Sequence, residues 1–204
     1  MTPAKTSAAT THRSAGATSV VIGLDLPGND LAALEHRTLT WLDDEGIEAM
    51  EVATHILSGW YVASVALVGD APHALASADE YGFVAARHSN PVEQMVGPHD
   101  TRFGRAVAAA SSHHLRTGGR LVRFDGDALT KGKEVNAATL ASSSCIDEVV
   151  ALGAIAGPDA VVVTSGFARP IMQFGRTVLI VTALSENRFR PFETQNPHQC
   201  CGGH

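Results

Sequence analysis

Short runs of Val, Ile, Leu and Ala alternate with helix-length stretches, and this succession limits most strongly what the chain can fold into. Ser19 to Leu26 (SVVIGLDL) and Tyr61 to Val68 (YVASVALV) have the length and residue types of strands. They are apolar almost throughout rather than at every second position, as expected when both faces of a sheet are covered. Pro27 to Asp30 then turns the chain and offers an N-cap, and Leu31, Leu34, Thr38 and Leu42 form the inward stripe of a helix ended by Gly46. A second helix is expected from Ile47 to Leu57, with Ile47, Met50 and Leu57 on one face and Glu48, Glu51 and His55 on another. A helix over Pro72–Tyr81, a strand over Phe83–Arg87, a helix over Arg102–Thr117 and a strand over Arg120–Phe124 follow. A long helical run is expected from Glu134 to Leu152, then strands over Ala160–Val163 and Thr177–Leu184. Strands alternating with helices imply βαβ units. The expected fold is a single-domain α/β, with a mixed or mostly parallel sheet of five to six strands flanked by helices, over residues 19–185. A flexible arm (1–18) precedes it and an irregular Cys/His-rich tail (186–204) follows.

Composition narrows the partners. The 204 residues are 45% apolar and 18% charged, which suits one domain with a core that needs no disulfides. A net charge of −6 repels phosphate backbones, so no nucleic-acid partner is expected. No apolar stretch approaches the ~18 residues that span a bilayer, so no membrane partner is expected either. Only three cysteines occur, two of them adjacent, which is no disulfide framework and points to a reducing cytoplasm. The Ala/Thr/Ser-rich start, with Lys5, His12 and Arg13, has the composition shared by transit peptides and disordered termini.

In open parallel sheets, ligands bind beyond the carboxyl ends of the strands. Those ends are polar here: Asp25, Gly69-Asp70, Asp125-Gly126-Asp127 and Thr164-Ser165-Gly166, with His88 after a short strand. The same residue types also cap helices and make turns. Glu48, Glu51 and His55 on one helix face combine carboxylates with an imidazole, the groups of acid–base or metal chemistry, or else form a solvated face. Gly97 to Arg102 brings His99 and Asp100 next to a helix on which Arg102 and Arg105, three apart, could clamp an anion. The plainer alternative is Asp100 or Thr101 as a cap. Phe124 to Glu134 lies between a strand and a helix, but it has five residues between Gly126 and Gly132-Lys133 and then Glu134. A phosphate loop needs four and then Ser or Thr, so a nucleotide-triphosphatase is excluded. Cys145, placed in a helix, reads as a buried thiol, with a nucleophile as the sharper alternative.

The tail is the densest piece: His198, Cys200, Cys201 and His204 put four candidate metal ligands within seven residues. Thiolate and imidazole suit a transition metal such as zinc, copper or iron, although adjacent cysteines depart from the usual zinc spacing.

The succession GKEVNAAT (132–139), GPDAVVVTSG (157–166) and FGRTVLIVT (174–182) resembles GKVNAA, PDVVINTG and GDVVVST of the nucleoside phosphorylases and the methylthioadenosine/S-adenosylhomocysteine nucleosidases. The resemblance implies N-glycosidic bond cleavage, with Met50-Glu51 at the ribose and Gly69-Asp70 at the purine. The order of the pieces is permuted in this chain.

Together these readings lead to an enzyme acting on a small polar or anionic metabolite at the strand rim. Asp70, His99 and Glu51 are its acid–base candidates, and Arg102, Arg105, Thr164 and Ser165 its substrate-binding candidates. A nucleosidase-like reaction is one alternative. A non-catalytic metal- or redox-binding protein that uses the tail is another, and a subunit of an assembly, a homo-oligomer included, is a third.

Overall fold

In the computed structural model, residues 20–69, 73–88, 101–132, 134–152 and 154–193 are described. Strand β1 (Val20–Asp25) is buried at all six positions, because its alternate side chains meet different layers. Val20, Ile22 and Leu24 pack with Leu34, Trp41 and Leu42 of helix α1 (Leu31–Asp44). Asp30 caps that helix by accepting from the Ala32 and Ala33 amides.

Strand β2 (Ala49–Leu57) pairs antiparallel with β3 (Trp60–Leu67). Residues 47–57 are thus not the helix that the Ile47/Met50/Leu57 spacing suggests. Ser58 and Gly59 both have positive φ (53° and 80°), the geometry of the two-residue hairpin turn that matches strand twist. Forming that hairpin lets Val52 join the α1 core through a period of two. Helix α2 (Ala74–Glu80) lies on the same side, where Ser77 accepts from the Trp41 indole at 3.0 Å. Strand β4 (Val84–Arg87) pairs antiparallel with β1.

The opposite face is covered by α3 (Thr101–His114). The register sets Ala86, Gly23, Ser64 and Ala53 side by side across four strands, a row of small residues that lets the helix approach. A Cβ on Gly23 would stand 1.8 Å from the Ala106 carbonyl oxygen.

Strand β5 (Arg120–Arg123) continues the sheet beside β2, followed by α4 (Asp127–Thr130), β6 (Val135–Asn136) and α5 (Ala137–Ser143). The expected long helix over 134–152 is cut short after Ser143. The Ser144 hydroxyl donates to the Leu140 carbonyl and accepts from the Ile146 amide, so the helix ends in a side-chain-capped bend. Val149 and its neighbours then form β7 (Glu148–Ala151), which is followed by β8 (Ala154–Ile155), β9 (Val161–Val162), β10 (Ile171–Gln173), β11 (Arg176–Ser185) and β12 (Arg188–Pro191). Strand pairing therefore extends past Ser185. β11 is the fork of the sheet. Val178 pairs with both Ile171 and Glu148, and Val181 with both Pro191 and Ala151, so β10 and β12 share the edge opposite β7. A second core lies beneath this fork, built on Leu121, Leu140, Ile146, Val162, Met172 and Leu179.

The twelve described strands form one sheet, and only β7 with β11 and β9 with β12 run parallel. The expected mostly parallel sheet of five to six strands is thereby corrected. An antiparallel sheet covered on both faces buries every residue of its central strands, so it writes the same unbroken apolar runs as a parallel one. With neighbouring strands in opposite directions, strand carboxyl ends do not gather on a single rim. No helix among the described residues is long and apolar enough to cross a membrane.

Candidate active site

The buried carboxylates of the first strands, Asp25 and Glu51, lie on the α3 face of the sheet, as do Ser64 and His55. At one end Asp25, 1% exposed, takes Arg105 at 2.6 Å and Arg102 at 3.4 Å, and its carbonyl accepts from Arg102 at 2.8 Å. Arg105 also stacks over Trp60, 4.8 Å from the ring centre. The two guanidiniums that the sequence offers as an anion clamp hold the chain's own carboxylate.

At the other end four side chains form a continuous line. His113, in the last turn of α3, meets Glu51 Oε2 through Nε2 (2.9 Å) and Ser64 Oγ through Nδ1 (2.7 Å). Ser64 Oγ meets His55 Nε2 at 2.6 Å. The second Glu51 oxygen accepts from Arg116 at 2.7 Å, and Arg116 also donates to Met172 Sδ at 3.2 Å. Glu51 and His55 are four apart, which on β2 is the same face, and β3 sets Ser64 between their rows. Arg116 leaves the helix with φ +53°, a conformation that costs a non-glycine residue about 1–2 kcal/mol, and its ion pair with Glu51 offsets this.

Electrostatics fixes the protons along this line. Burial alone would raise the Glu51 pKa, but hydrogen bonds from His113 and Arg116 outweigh it and hold the carboxyl down at about 2. Burial, reinforced by repulsion from His113, pushes His55 down to about 3 against the pull of the Gly118 backbone. Burial lowers His113 as well, opposed by Glu51. At neutral pH the line therefore holds one carboxylate and two neutral imidazoles. The carboxylate can only accept, so His113 carries its proton on Nε2 and its Nδ1 accepts from the Ser64 hydroxyl. Ser64 Oγ then accepts from Nε2–H of His55, and the ring nitrogen of the line left without a proton is His55 Nδ1, beside the Gly118 backbone. Gly119, with φ +117°, makes room for this ring: a Cβ there would lie 2.8 Å from His55 Nδ1 and 2.6 Å from Cε1.

A cavity of about 500 Å³ lies at the start of β5, flanked by the end of β2 and by β10, and His55 is the member of the line among the residues that border it. Leu31, Ile56 and Ile171 give it apolar wall, and Thr54, Tyr61, Gln173, Arg120 and Glu193 give it polar groups. The volume is in the range of small-molecule sites. Ser64 has the partners of a nucleophile, but it is 0% exposed between sheet and helix, so a substrate cannot reach it. It joins two imidazoles by hydrogen bonds.

Of the acid–base residues expected from the sequence, Glu51 sits at the head of this line, on a strand rather than on the expected helix face. Asp70 and His99 lie outside the described residues, as do the tail ligands His198, Cys200, Cys201 and His204. Thr164 is buried and its hydroxyl lies 2.6 and 2.8 Å from the Thr130 and Gly132 carbonyls, a tie beside α4. Ser165 is exposed in a turn with φ +51°. Cys145 lies beyond α5 rather than inside a helix, buried in the second core. Among the described residues no group of three or more His, Cys, Asp or Glu is placed to hold a metal ion. Sequence reasoning missed Ser64, His113, Arg116 and Arg120. The one available signal was Ser64 itself, a hydroxyl in the middle of YVASVALV. No protein family, characterised protein or solved structure matches the chain.

Proposed function

We propose that the chain is an enzyme that moves a proton to or from a small polar substrate held in the cavity beside His55. The single observation behind this reading is that one of the residues bordering the cavity, His55, has its buried imidazole joined through a buried serine to a histidine–glutamate pair. A lone histidine held neutral by burial is a weak base at neutral pH. The line changes this, because a proton taken at His55 Nδ1 can be answered by transfer of its Nε2 proton to Ser64 and of the Ser64 proton to His113 Nδ1. The positive charge then rests on His113, in contact with Glu51, instead of on His55. Arg116 keeps Glu51 ionised and fixed. In the reverse direction the same line returns the proton to the substrate. His55 is the catalytic residue in this reading, and Ser64, His113 and Glu51 are positioning residues. The small-molecule partner follows from the cavity volume, and a cytoplasmic setting follows from the sparing use of cysteine.

The test is proton exchange in D2O over a panel of small carboxylic acids, oxo acids and nucleosides, followed by NMR. The wild-type chain is expected to wash deuterium into a panel member, and His55→Asn to lose this while remaining folded. Equal wash-in by both proteins, or none by either across the panel, overturns the reading. In long-range ¹H–¹⁵N spectra both His55 and His113 are expected as Nε2–H tautomers, and an Nδ1–H form of His113 at neutral pH would contradict the proton order.

A further inference from the structure

Arg120 brings charge to the cavity wall. Its backbone is fixed between β2 and β10, in register with Thr54 on one side and Ile171 on the other. Its guanidinium donates to Glu35 Oε1 at 3.3 Å and to Glu193 Oε2 at 3.0 Å. The other Glu35 oxygen is taken by Arg169 at 3.1 Å. Two guanidiniums thus share one inner carboxylate, and Glu193 balances the remaining positive charge. Arg169 Nη1 is buried without a hydrogen-bond partner among the described residues, so the cluster has more donors than acceptors.

The two carboxylates are not held alike. The Glu35 side chain is 18% exposed and bridges both guanidiniums, whereas the Glu193 side chain is 39% exposed and, among the described residues, is paired with Arg120 alone. Half-exposed pairs of this kind contribute little, so exchanging Glu193 for another carboxylate has a small cost. Glu193 also lines the cavity that Arg120 lines.

We infer that Arg120 is the anion-recognition residue of the cavity, and that Glu193 is its resting occupant, displaced by the carboxylate of a small monocarboxylate substrate. This rests on the reading of the cavity as the substrate site and gives that substrate a chemical class. The exchange replaces one negative charge by one negative charge and leaves the cluster neutral. A phosphate dianion in the same place would add a negative charge a few ångströms from Glu35, so the balance selects a monoanion. The planar fork of Arg120 matches a carboxylate. Leu31, Ile56 and Ile171 supply apolar wall for the rest of the molecule.

The experiment is calorimetric titration of the full chain at low ionic strength with butyrate and with inorganic phosphate. Glu193→Gln, which keeps the shape and removes the competing charge, is expected to bind butyrate about tenfold more tightly than wild type, with no such gain for phosphate. Arg120→Lys, which keeps the charge and loses the fork, is expected to reverse the gain in the Glu193→Gln background. Equal butyrate affinity in wild type and Glu193→Gln overturns the inference, and an equal gain for phosphate shows an unselective ion site and overturns it too. The His55→Asn/Glu193→Gln protein is expected to keep the butyrate gain. Butyrate recognition can thereby fail while proton exchange at His55 stands, or stand while proton exchange fails.

Discussion

The two faces of the first four strands solve opposite packing problems. Toward α1 and α2 the sheet presents Ile22, Leu24, Val65 and Leu67, and the helices answer with Leu34, Trp41 and Leu42. Trp41 is fully buried, its indole bonded to Ser77 and its ring edge-on to Phe83 at 6.1 Å. This face is held by volume. Toward α3 the sheet presents Gly23, Ser64 and Ala53 in the middle, with Asp25 and Glu51 beyond them. The small residues let the helix come so close that little apolar area is left to bury. Specific pairs of buried charge take its place, and these hold only while every partner is present. One face supplies cohesion, and the other supplies a line of buried hydrogen bonds.

The sharpest contrast is between Trp41→Ala and Glu51→Leu. Each is expected to destabilise the fold by about 3–5 kcal/mol, the first by leaving a large cavity and the second by leaving buried His113 and half-buried Arg116 without their carboxylate. Urea unfolding across pH separates them. Glu51 and His55 both have depressed pKa values in the folded chain, about 2 and about 3. Their stabilisation is full above the unfolded values. It falls as pH drops from about 6.5 for the histidine and from about 4.5 for the carboxylate, because the unfolded chain takes protons that the folded one refuses, at up to about 1.4 kcal/mol per pH unit for each group. Trp41→Ala should follow the wild-type curve at a constant offset, whereas Glu51→Leu should lose the component below about pH 4.5. Identical curves for wild type and His55→Gln would remove the assignment of a buried neutral imidazole.

Gly23→Ala is expected to cost about 3 kcal/mol, since the added carbon meets helix backbone rather than a movable side chain. A fully stable Gly23→Ala protein would mean that α3 does not lie so close. The smallest effect is expected from Ser64→Ala, about 1–2 kcal/mol in stability, because both imidazoles lose a partner and a small void opens. Its larger signature is spectroscopic: the tautomers of His55 and His113 should become independent of one another. If they stay linked, the serine is no conductor.

Much of this molecule was legible in the residues. The run SVVIGLDL reads as a buried strand, and Asp30 with the stripe Leu34, Thr38 and Leu42 reads as a capped helix, because both signals are local. Glu51 and His55 were legible as a pair of chemical groups. Their setting was not, since a spacing of four fits one face of a strand as well as one face of a helix. The deciding element was the Ser58-Gly59 turn, whose two positive φ values fold 49–67 into a hairpin. The long helix over 134–152 failed for a similar reason: Ser144 bends the chain, and the edge of β11 captures Glu148–Ala151.

The sequence by itself determined where apolar runs fall, that Asp30 starts α1, that a helix follows Thr101, and that Glu51, His55, Arg102 and Arg105 are ionisable groups spaced to share a face. Only the tertiary structure decided strand direction, because unbroken burial records that both faces are covered and not which way a neighbour runs. It alone decided that Arg102 and Arg105 meet Asp25, and that Ser64 and His113, 49 residues apart, join His55 to Glu51. Hydrogen bonds of this kind are set by register and by the approach distance of a helix, and neither quantity is written in any local stretch of residues.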